Sequence, residues 1–198
     1  MGLDTVELIV SFEKHFGLDI PDRVAERINT VGDMAAWLGQ QLGTTGRRDS
    51  AARVAVATHL RELVALPVTL ATKEAEATPL QLLLPDVAAW KNHAAQLLAR
   101  HGLELPRLPL VPSIPAIGWL ARLFGSDRLP PRPALSTSTL GELTDWTVAL
   151  NFEQLLPPPH HNQYDVEQAV IGLTCDKCGI SVEKIRLGSS FTNDLGLD

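Results

Sequence analysis

The chain has 198 residues, 45 % of them apolar, and a net charge of −6. That length admits one large or two small domains, and that apolar share supports a packed core. The acid excess argues against nucleic-acid binding, which draws on Lys and Arg in excess, and two cysteines make no disulfide framework, which points to a reducing cytoplasm.

The start, MGLDTVEL, has no basic stretch leading into an apolar one, so no signal peptide is expected. Leu8, Ile9, Phe12 and Phe16 then recur at helical spacing after Asp4 and Glu7, which predicts a first helix ending at Gly17 before Pro21. Residues 22–28 read as a short helix or turn. Thr30, with Asp33 three positions on, reads as a capping box for a helix whose apolar face is Val31, Met34, Trp37, Leu38 and Leu42. Gly43 ends it, and residues 44–50, TTGRRDS, form a polar linker.

The middle echoes the plan of the start. HGLELP (101–106) matches FGLDIP (16–21), TLGELTDW (139–146) matches TVGDMAAW (30–37), and ATPLQLLLPD (77–86) matches SSFTNDLGLD (189–198). Three echoes in one consistent order predict an internal repeat, with a second unit over 51–152 and helices near 51–66, 87–100 and 140–150. A proline-rich insertion at 107–138 interrupts it, with room for a short apolar helix over 116–124. The longest apolar stretch, 108–124, holds Pro109, Pro112, Pro115 and Arg122, so no membrane span is expected. After a proline-stiffened linker at 155–163, residues 164–178 read as a helix with Val166, Val170, Ile171 and Leu173 apolar. A helix pair such as 164–198 cannot bury its apolar face alone. It must fold back on the start of its own chain or complete a second copy.

Chemistry-bearing motifs are few. Cys175-Asp-Lys-Cys178 could be a redox pair or half a zinc site, but zinc needs further ligands and only His160 and His161 lie near in sequence. A buried cysteine packed as a small hydrophobe accounts for the pair more simply, and no metal is expected. There is no Ser-His-Asp spacing, phosphate loop or H-E-x-x-H, so no catalytic residue and no enzyme activity are expected.

Read from tail to head, SSFTNDLGLD (189–198) runs into Gly2 and Leu3 and then DTVELIVSFEKHFGLDIP (4–21). In that permuted order the two ends resemble the acyl carrier protein family, and the middle is similar in a degenerate form. The resemblance implies an all-α fold of two small four-helix bundles, one built from 1–43 plus 164–198 and the other from 51–152. It implies a carrier role in fatty-acid or polyketide-type thioester biosynthesis. The alternative is a pseudo-carrier module that only docks on such enzymes, and a weaker one is a thiol or zinc protein built on the two cysteines. In the family a serine stands where Gly2 stands, between the counterparts of Asp198 and Leu3, and bears the 4′-phosphopantetheine arm. A helix N-terminus suits the arm's phosphodiester. Glycine has no hydroxyl, so no cofactor is expected on this chain as written. Asp4, Glu7, Glu13 and Asp19 stand where the family docks acyl-processing enzymes or a phosphopantetheinyl transferase through an acidic helix. Lys14 and His15 depart from that acidic pattern. The ends meet either within one chain, as in a circular permutant, or between two, as in a domain-swapped homodimer.

Overall fold

The computed structural model describes residues 3–46, 50–67, 71–83, 87–107, 110–111, 132–133 and 138–197. The short helix expected over 116–124 lies outside them. The chain is all-α. Among the described residues the helices are α1 (Leu3–Phe16), α2 (Asp22–Ala25), α3 (Val31–Leu42), α4 (Ala51–Leu63), α5 (Thr72–Glu76), α6 (Leu80–Leu83), α7 (Val87–His101), α8 (Leu140–Leu150), α9 (Phe152–Leu155) and α10 (Gln163–Cys178). One antiparallel pair of two-residue strands, Leu110–Val111 with Arg132–Pro133, lies within the insertion.

The chain divides into two units, Met1–Val56 with Thr144–Asp198, and Ala57–Leu143. Residues 51–56 and 144–152, which the repeat expectation assigns to the middle, group with the chain ends.

In the first unit α10 is the central helix. Tyr164 and every residue from Val166 to Thr174 are buried, so it has no polar face along that length. It packs against α1 and α3. Those helices bury Leu8, Phe12 and Phe16 on one side and Val31, Met34 and Leu38 on the other. Gln163 opens α10 and fastens it to α3: its side-chain amide donates to the Ala35 carbonyl at 3.0 Å, and its oxygen accepts from the Thr44 hydroxyl at 3.0 Å. The helix ends at Gly179, whose φ of 64° is the left-handed conformation that suits glycine.

The tail beyond α10 makes a tight helical turn at Val182–Lys184 and then runs beside the start of α3. The Val31 amide donates to the Ser189 carbonyl at 3.1 Å, Gly32 to Leu187 at 2.6 Å, and the Phe191 amide to the Asn29 carbonyl at 3.0 Å. Gly32 is required here: a Cβ would stand 2.8 Å from the Leu187 oxygen. Within one chain, then, residues 187–191 pair with residues 29–32.

The second unit has a matching local pattern. The Leu140 amide donates to Thr78 at 3.0 Å, the Leu80 amide donates to Ser138 at 2.8 Å, and Gly141 lies close to the Glu76 carbonyl. Thr139 and Glu142 exchange bonds of 3.0 and 3.3 Å at the head of α8, as Thr30 and Asp33 do at the head of α3. Thr78 thus faces Leu140 as Ser189 faces Val31. The pairing lies one residue away from the ungapped echo, which aligned Ala77 with Ser189. Buried in this unit are Ala57, Leu60, Ala75, Leu80, Trp90, Leu97, Leu103, Leu105, Leu140 and Leu143.

Helix α4 stops at Leu63, three residues before the expected end. Ala65 has φ 52°, and Leu66 precedes Pro67, which disfavours helical backbone at Leu66.

Candidate functional site

Helix α1 sets the site. The spacing that buries Leu8, Phe12 and Phe16 turns Val6, Glu7, Val10 and Lys14 outward. Val6 and Val10 are 43 and 53 % exposed, one turn apart, so the outward stripe is apolar with charged flanks. Sequence periodicity marked only the inward stripe. The i, i+4 spacing of the two valines was the available signal, and it was overlooked because valine in an amphipathic helix is ordinarily counted with the core.

The four expected docking acids have different surroundings. Asp4 belongs to the first turn of α1, Glu7 is exposed on its outer face, and Asp19 is exposed beyond Gly17. Glu13 is half-buried, and its carboxylate accepts the Ile20 amide at 2.8 Å, closing the turn between α1 and α2. That bond gives Glu13 a structural task, so only part of its charge faces outward. Leu3 is the first residue of α1, while Gly2 and Asp198 lie outside the described residues.

Beneath the inner face of α1 is a cavity of about 340 Å³. It is lined by Thr5, Leu8, Ile9 and Phe12 of α1, by Met34 of α3, and by Ala25, Glu26, Ile28 and Asn29 at and after α2. Phe191 and Thr192 of the tail also line it. The tail is held there by its own turn: the Ser190 hydroxyl accepts the Asn193 amide at 3.2 Å, and the Asp194 carboxylate accepts the Ser190 amide at 2.8 Å. Its lining mixes apolar side chains with the polar Thr5, Glu26, Asn29 and Thr192.

The Cys175 thiol shows no activation. No disulfide joins Cys175 and Cys178, and burial, then Asp176 and Glu183, push the Cys175 thiol above its ordinary pKa. A raised pKa keeps the thiol protonated and unreactive. Among the described residues no three His, Cys, Asp or Glu side chains are grouped to hold a metal ion. His160 does not approach the cysteines; it is paired with His15. No described helix is long and apolar enough to cross a membrane.

Comparison with known proteins places the similarity on this site. Residues 3–38 match the family described as phosphopantetheine attachment site. An acyl carrier protein of Picosynechococcus sp. (strain ATCC 27264 / PCC 7002 / PR-6) is 51 % identical over 42 residues, which are 21 % of this chain and 52 % of that protein. An acyl carrier protein of Phenylobacterium zucineum (strain HLK1) is 49 % identical over 42 residues, 21 % of this chain and 53 % of the relative. The chain thus spans about half the length of the curated relatives it matches. No solved structure matches it.

Proposed function

Because its N-terminal segment is related to the acyl carrier proteins, we propose that the chain is a carrier-like module of acyl-thioester biosynthesis, of the fatty-acid or polyketide type. The observation that carries this reading is the coincidence of the matched segment, residues 3–38, with α1 and the cavity beneath it. Helix α1 is the face that meets acyl-processing enzymes. No catalytic step is assigned to the chain. The carrier-like unit is assembled from both chain ends, with the tail supplying what precedes α1. A second, degenerate unit occupies the middle, a reading supported by the matching amide pattern around Leu140 and Val31.

Position 2 decides how the module works. Glycine there offers no hydroxyl for a phosphodiester, so this chain docks without a covalent arm, as a pseudo-carrier. Glu7 and Asp19 contribute charge complementary to basic partner surfaces, which chiefly raises association rates, while Val6 and Val10 supply apolar area. Incubation with coenzyme A and a broad-specificity phosphopantetheinyl transferase, followed by intact-mass measurement, tests this. The chain should gain no mass. A rejoined variant, with Met1 and Gly2 removed and a serine linking Asp198 to Leu3, should gain one phosphopantetheine. If that variant folds and stays unlabelled, the carrier reading fails; if the unaltered chain is labelled, the pseudo-carrier reading fails.

A further inference from the structure

Two histidines that lie 145 residues apart in sequence meet in the first unit. His15 belongs to the last turn of α1, and His160 to the connector between α9 and α10. Their Nε2 atoms are 3.3 Å apart. The His160 ring, only 4 % exposed, also lies 5.0 Å from the ring of Phe16, and His15 stands edge-on to Phe152 at 5.3 Å. Each imidazole nitrogen in this contact must be either donor or acceptor. The contact therefore needs at least one neutral ring. With both rings protonated, two N–H donors and two positive charges would face each other inside an aromatic cage.

We propose that the His15–His160 pair is an acid-sensitive latch, which fastens the end of α1 to the connector while a neutral ring remains and releases it when both rings are charged. Glu153 on α9 acts on His15 and His161 on the connector acts on His160; Lys177 of α10 is linked electrostatically to Glu153, and Lys14 precedes His15 on α1. Glu153 is the acid among these and is exposed, so water screens the support it gives a charged His15. Burial, then His15 and His161, bring His160 down to about 4; burial also lowers His15, against a smaller opposing pull from Glu153.

A histidine whose folded pKa lies below its unfolded value binds fewer protons in the folded state. The stability the pair gives is therefore complete above the ordinary value of 6.5 and declines as pH falls from there, and the latch itself opens at about 4, where His160 takes its proton. Over that window the unfolding equilibrium of the first unit should shift by roughly two orders of magnitude. The test uses the full chain. Nitrogen NMR of the imidazoles should show His160 titrating near pH 4, and thermal melting should weaken between pH 6.5 and 4. His160→Phe, which fills the cage with a ring that cannot titrate, should flatten that pH profile. A His160 midpoint at the ordinary value of 6.5 overturns the latch, whether or not the variant folds. So does a His160→Phe profile as steep as that of the unaltered chain.

Discussion

Gly172 sits where α10 passes closest to α8 and α9. A Cβ there would collide with the Ala149 carbonyl oxygen and with the ring of Phe152. One of those neighbours is backbone and the other a buried ring, so neither yields cheaply. Gly172→Ala should therefore destabilise the first unit by about 1–3 kcal/mol, read from chemical denaturation. The chain's single tyrosine allows a second residue-level test. The Tyr164 hydroxyl donates to Asp145 Oδ1 at 2.8 Å, and the same oxygen accepts Arg53 Nε at 2.9 Å. Burial first, and then the Asp145 charge, raise the phenol above its ordinary value of 10.0. The folded state thus holds its proton longer than the unfolded chain. The stability this gives is complete below pH 10 and declines above it. Ultraviolet titration should show phenolate appearing only as the protein unfolds; phenolate at pH 10 in a folded sample would contradict the burial. Residues that obey periodicity, such as Phe12, Phe16, Val31 and Leu38, were legible in the sequence. The His15–His160 contact was not, because no local pattern pairs side chains so far apart along the chain.

At the scale of elements, helix ends were more legible than helix relations. The Thr30 box formed as its spacing implies: the Thr30 hydroxyl accepts the Asp33 amide at 3.1 Å, and the Asp33 carboxylate accepts the Thr30 amide at 2.9 Å. The Thr30 hydroxyl holds the Asp33 carboxyl below its ordinary pKa, helped by backbone amides. Thr30→Ala should cost about 1 kcal/mol in the melting of the first unit, and Thr30→Ser most of an order less. The end of α4 was read too long because nothing in its composition marks Ala65 for a left-handed turn, a conformation that alanine rarely adopts. The match between 77–86 and 189–198 was read one residue out because ungapped similarity follows side chains, whereas amide pairing follows the backbone. Of the candidate site, the inward wall of the cavity was written in the spacing of Leu8 and Phe12. The share of it lined by Phe191 and Thr192 depends on how the tail returns, which spacing does not specify.

The first unit depends on segments from both ends of the molecule. Removing 164–198 takes away α10, the tail turn and the pairing of Ser189 and Leu187 with the head of α3. It leaves the inner faces of α1 and α3 without their partner, a loss of buried area that so short a segment cannot offset. Residues 1–43 should then show no cooperative thermal transition, while Ala57–Leu143 stays helical by circular dichroism. A persisting two-state melt of 1–43 in that truncation would refute the shared core.

The bond from Gln163 to Ala35 spans 128 residues, and that distance has a consequence during synthesis. A ribosome delivers α1 and α3 early and must then make the whole of Ala57–Leu143 before α10 emerges. Until that moment Phe12, Phe16 and Leu38 lack the central helix that completes their burial. Contacts this remote in sequence also slow folding, because a long loop must close before any of them forms. The head of the chain therefore passes through a long interval as an exposed apolar segment, in which nascent-chain-binding chaperones should hold it and a stalled, tail-less product should be degraded first.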